Sequence, residues 1–111
     1  MIRKFIMLLT MLFIANIAYA GQGSGKITVI YTHIGSGTTG AVFFNVENHT
    51  SPPACSSHEW AFSIDTEIGK AMYSLLLTAA AQNKSVVVQG TGDCAAWGDR
   101  ERPQFILVQT Q

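Results

Sequence analysis

The chain has 111 residues, 48% of them hydrophobic, and its seven basic and seven acidic side chains balance. That length fits a single small domain, and so few cations in balance exclude the basic groove that nucleic-acid binding requires.

The first element is a leader. Met1 to Lys4 is short and cationic, Phe5 to Ala18 is almost wholly apolar, and Ala18-Tyr19-Ala20 offers small residues at both positions a signal peptidase reads. These features predict a bacterial Sec-type signal peptide over residues 1–20, cut before Gly21, and hence a secreted or periplasmic protein. This mostly apolar run of 14 residues falls short of the roughly 20 that a membrane-spanning helix needs. No span is expected after cleavage. The mature chain, 21–111, keeps five bases and seven acids, a net charge of −2. Cys55 and Cys94 are its only cysteines, and in an oxidising compartment they are expected to pair. That bond closes a loop of about 40 residues and stabilises by roughly 4 kcal/mol on the loop-entropy account.

Gly21 to Gly25 reads as a flexible lead-in. Lys26 to His33 alternates as a strand, with Ile27, Val29 and Tyr31 on one face. The run from Gly35 to Gly40 is a projecting loop. Ala41 to Asn48 returns as a second strand with Val42, Phe44 and Val46 on one face. His49 to His58 holds Pro52-Pro53 and is a loop, and Trp60 to Ile64 is a short third strand. Asp65 or Thr66 can cap a helix running to about Gln82. Ser85 to Gln89 and Gln104 to Val108 supply the last two strands, and the loop between them carries Cys94, Trp97 and the charges Asp93, Asp99, Arg100, Glu101 and Arg102, expected to be solvated.

The order is β-β-β-α-β-β, which is all-β with one helix and predicts a single-domain five-stranded OB-fold barrel over 21–111. Such barrels usually bind rather than catalyse. Ile68, Met72, Leu75, Leu76 and Ala79 fall on one helix face, yet Tyr73, Leu77, Ala80 and Ala81 carry apolar character further around. Covering one barrel takes only about a 100° stripe. Either a loop or, most simply, another copy of the chain covers the surplus.

Catalytic and metal motifs are missing. Gly25-Lys26 lacks the glycine spacing and the following Ser or Thr of a phosphate loop. Ser24 and Ser36 lack the glycine frame of a nucleophile elbow, and His33, His49 and His58 share no ligand spacing. No cofactor is expected. Trp60 and Trp97 lie near the cysteines, where they serve either as packing around the disulfide or as a platform for a sugar ring.

Several runs resemble the B subunit of subtilase cytotoxin and related AB5 toxin B subunits. They are Ser24-Gly25-Lys26-Ile27-Thr28-Val29-Ile30-Tyr31-Thr32-His33, Phe43-Phe44-Asn45-Val46-Glu47, Pro53-Ala54-Cys55-Ser56 through Trp60, and the Gly69-Lys70-Ala71-Met72 helix start. The resemblance implies a pentameric ring of OB barrels that binds cell-surface glycan, often sialylated, without catalysis, with an enzymatic A subunit as a further partner. It implies Ser24 as a sugar contact and a helix, here with Met72, Leu75, Leu76 and Leu77, facing sister subunits; Tyr31, Glu47 and Trp97 are further candidate glycan contacts. Three features depart from the pattern: Gln89-Gly90 stands where family members carry a glycan-contacting aromatic, the second strand lacks their cysteine, and the mature chain is shorter. The other class open to such a chain is a stand-alone periplasmic inhibitor or immunity protein that covers a protein partner.

Overall fold

Six elements follow one another along the chain: β1 (Gln22–Ile34), β2 (Gly40–Thr50), β3 (Trp60–Ser63), α1 (Glu67–Ala81), β4 (Ser85–Gly90) and β5 (Pro103–Val108). The structure is a computed structural model, and it describes residues 19–35, 37 and 39–110. The leader expected over 1–20 falls outside the described residues except for Tyr19 and Ala20. The strands form one antiparallel sheet in the order β3-β2-β1-β4-β5, with the helix between β3 and β4 in sequence. This is the expected order and class.

The sheet curls without closing through a continuous ladder. Its edges, β3 and β5, are joined at one end by a parallel bridge between Trp60 and Glu101, where the Ala61 N–H donates to the Glu101 carbonyl at 3.0 Å. Nearby, the Ser57 N–H donates to Asp99 O at 2.9 Å. The Cys55–Cys94 disulfide, with Cα atoms 6.3 Å apart, ties together the two loops that carry these contacts. The disulfide thus fastens the seam the strands leave open.

Gly21 to Gly25 is a corrected expectation. Gly21 is buried and Gln22 onward is strand, because Gln22 to Lys26 pairs with β4 while Gln22 to Ser24 also pairs with β2. Glycine disfavours strand, but hydrogen bonds on both edges hold it, and packing requires it at Gly23. A side chain there would press on Val46 at 2.8 Å and meet Trp60 at 3.4 Å. Register shifts on either side of Ile27 then break the simple alternation. Ile27 and Ile30 turn to the core, whereas Val29 and Tyr31, each 37% exposed, turn out.

β2 keeps its alternation. Val42, Phe44 and Val46 join Trp60, Phe62, Val86, Val88 and Ile106 in the main core, and Phe43 and Ala41 face the other way. The helix starts where the Thr66 hydroxyl accepts the Gly69 N–H at 2.9 Å. Gly69 is buried, and any Cβ there would collide with the Ser63 carbonyl, so the first turn sits directly on the end of β3. Leu76 and Ala79 are fully buried against the curled sheet, with Met72 and Tyr73 packed beside them. The helix ends at Gln82, and Asn83 takes a left-handed φ of 54° to start the turn into β4.

Candidate functional site

The start of β1 runs between β2 and β4, and its Ser24 stands opposite Asn48 on one side and Val87 on the other. A cleft of 240 Å³ opens over this junction, bounded by Gln22, Ser24, Asn48, Thr50, Val87 and Gln89. Its side chains are hydroxyls, amides and valines, with no charge among them. The Gln22 amide donates to Gln89 Oε1 at 3.3 Å, and the Thr50 hydroxyl donates to Gln22 O at 3.4 Å. Among the described residues, the Ser24 hydroxyl and the Asn48 side-chain amide make no hydrogen bond within the chain. Both can therefore donate to and accept from a ligand. Glu47 borders this cleft without lining it. Its carboxylate accepts the Lys26 N–H at 3.0 Å, and it packs beside Gly25, whose φ of 106° suits glycine.

Tyr31 and Trp97 lie elsewhere, gathered around Phe43 on the outer face of β2. Tyr31 stacks on Phe43 with ring centroids 4.9 Å apart, and Trp97 meets the same ring edge-on at 5.0 Å. His33 closes on Trp97 at 5.0 Å, and the Arg100 guanidinium lies over Phe43 at 5.6 Å. The Tyr31 hydroxyl donates to Glu59 at 2.6 Å, and Arg100 Nε donates to the same carboxylate oxygen at 3.2 Å. The hydrogen bond to Glu59, followed by burial, pushes the Tyr31 phenol above its usual range. Phe43 is only 2% exposed, so these rings roof a second small core. Trp60 is fully buried in the main core. The four sugar-contact candidates thus divide into Ser24 with Glu47 at one place and Tyr31 with Trp97 at another.

The charged run expected to be solvated is largely engaged. Arg102 forks onto Asp93 with two 2.8 Å bonds, and these, as the largest cause, hold the Asp93 carboxyl well below the usual carboxylate range. Glu101 is completely buried. The His49 ring stacks on Trp60 at 4.4 Å, and its Nδ1 donates to His58 O at 2.8 Å and to Asn45 Oδ1 at 3.1 Å. Burial lowers the His49 pKa, and its Nε2 is enclosed without a partner among the described residues, as suits a neutral ring.

On α1, the residues expected to face sister subunits separate. Leu76 belongs to the chain's own core and cannot reach a neighbour, and Met72 is half-buried against that core. Leu75 and Leu77 are exposed, as are Ile68 on the first turn and Phe105 and Leu107 on β5. A shallow cleft between helix and β5 is walled by Ile68, Ala71, Met72, Leu75 and Phe105.

Sequence reasoning found Ser24 but missed Gln22, Asn48, Thr50 and Gln89. These come together only through the pairing of three strands, which no local motif announces. Among the described residues no cluster of three or more His, Cys, Asp or Glu side chains is placed to hold a metal, and no helix is long and apolar enough to cross a membrane. Comparison with protein-family models, curated proteins and solved structures found no match to this chain.

Proposed function

We propose that this chain is an exported, non-catalytic binding protein that takes carbohydrate in the Ser24 cleft and works as a homo-oligomer, in the manner of a toxin B subunit. The observation that carries this reading is the cleft's inventory of unspent polar groups. A free hydroxyl and a free amide stand among three further amide and hydroxyl side chains, with Val87 as the apolar floor. Sugar hydroxyls donate and accept at once, and neutral amide and hydroxyl side chains answer both needs without the desolvation cost of a charge. A sialic carboxylate would have to be held there by Ser24, Asn48 and Gln22 as neutral donors, since no cation lines the cleft. Tyr31 and Trp97 act as structural support in this reading, and Glu47 orders the adjoining backbone.

Self-association is supported by Ile68, Leu75, Leu77, Phe105 and Leu107, five large apolar side chains left in water by a single copy. Ile68, Leu75 and Phe105, which wall one cleft, equally favour the second reading, in which an inhibitor or immunity protein covers a protein partner there. Two measurements separate them. A glycan array probed with wild type and Ser24→Ala is expected to give binding by the first and loss in the second; silence from the wild type ends the carbohydrate reading. Native mass determination is expected to give a multimer, and a monomer would favour the inhibitor.

A further inference from the structure

Glu101 is 0% exposed, and no cationic side chain pairs with it among the described residues. A buried carboxylate without a counter-ion is costly, and its surroundings should explain it. Both its oxygens are turned on one atom: the Gly21 N–H donates to Oε1 at 3.1 Å and to Oε2 at 3.0 Å. The Gly92 N–H adds a third bond to Oε2 at 2.8 Å. His49 feels the charge of Glu101, but its Nδ1 proton goes to His58 and Asn45, so the imidazole is not the counter-ion.

The cradle is built for this contact. A Cβ at Gly21 or at Gly90 would collide with the Glu101 carboxylate, so both positions hold glycine to let it approach the backbone. Gly21 is fixed further by its carbonyl, which accepts the Gly90 N–H at 2.8 Å. Ahead of it burial falls away: Ala20 is half-buried and the Tyr19 side chain is 68% exposed. Gly21 is also the residue that follows Ala18-Tyr19-Ala20.

We infer that Glu101 is the seat of the processed N-terminus: cleavage after Ala20 creates a Gly21 α-ammonium that forms a buried ion pair with it. Hydrolysis of the Ala20–Gly21 amide consumes one water. Its oxygen stays on the leader as the Ala20 carboxylate, and both its protons end on the Gly21 nitrogen, giving –NH3⁺. One neutral N–H shared between two carboxylate oxygens becomes three N–H groups and a full positive charge at the same place, which is the arrangement that makes a buried carboxylate tolerable. The cut must precede docking of β1, because Gly21 is buried once the fold forms. Maturation then adds stability as well as releasing the leader.

The test compares three oxidised chains at neutral pH: one beginning at Gly21, one retaining Ala20 ahead of it, and one beginning at Gly21 with the α-amine acetylated. The free Gly21 chain is expected to melt on the order of 10 °C above the other two, and that gap is expected to vanish in Glu101→Gln. Equal melting of the three wild-type chains overturns the inference, as does a gap that survives the substitution. Should Glu101→Gln fail to fold, the free-against-acetylated pair decides alone, because it leaves every side chain in place. Intact mass of the exported protein must also give a first residue of Gly21; any other start refutes the seat.

Discussion

Two places on the outer surface of the sheet carry the side chains that suggest recognition, and they use them in opposite ways. Around Phe43 the aromatic groups are spent: Tyr31, Trp97, His33 and Arg100 pack on or near one buried ring, and the Tyr31 hydroxyl is committed to Glu59. At the head of β1 the polar groups are unspent, with Ser24 and Asn48 open and uncharged. Aromatic residues therefore mark structure here, and plain hydroxyls and amides mark the candidate ligand surface. An indole beside a loop is a poor guide to a sugar site unless one face of the ring is free.

The difference can be broken at either end. Phe43→Ala removes the ring on which the second core rests and is expected to cost about 3–5 kcal/mol, read as a large fall in melting temperature. A drop under about 1 kcal/mol would mean that the aromatic group is not a core at all. Replacing Cys55 and Cys94 by serine is expected to cost roughly 2–5 kcal/mol, because the disulfide ties the loops beside β3 and β5, whose edges meet through the Trp60–Glu101 bridge. Denaturant unfolding of the oxidised and substituted proteins would show it.

A smaller effect concerns His49. Burial holds its folded pKa below the ordinary 6.5, so the neutral ring favours the fold. The stability this gives is complete above about pH 6.5 and is lost as pH falls through the lowered folded value, at no more than about 1.4 kcal/mol per pH unit. His49→Gln is expected to flatten that part of the melting-temperature profile. An unchanged slope would assign the acid sensitivity to other groups. Smallest of all on stability, Ser24→Ala is expected to stay within about 0.5 kcal/mol of wild type while removing sugar binding. That separation of folding from binding is what distinguishes an open polar group from a packed one.

The parts of the fold that were legible in sequence rest on local rules. Alternation placed Val42, Phe44 and Val46 inward, capping residues at Asp65 and Thr66 marked the helix start, which Thr66 takes, and two cysteines in a small chain gave the disulfide. What stayed illegible depends on distant partners. Gly21 to Gly25 looks slack until β2 and β4 pair with it, and the register shifts around Ile27 turn Ile30 inward where counting by twos places Val29. Glu101 sits among charges that read as solvated, yet the Gly21 N–H just ahead of β1 and the Gly92 N–H of the β4–β5 loop hold it buried. The candidate site was legible at Ser24 alone: Gln22 lies in a stretch that reads as slack, and the remaining walls come from the ends of β2 and β4, which only the sheet brings together.

The assignment of ligand binding to the head of β1 is open to a direct check. The mature protein would be titrated with free oligosaccharides, sialyllactose and lactose among them, while its backbone amides are followed by NMR. Shifts concentrated at Gln22, Ser24, Asn48, Thr50 and Gln89, with Tyr31, Phe43 and Trp97 unmoved, are the expected result. Shifts centred on Trp97 and Tyr31 would contradict it and return the aromatic cluster to the role of ligand platform.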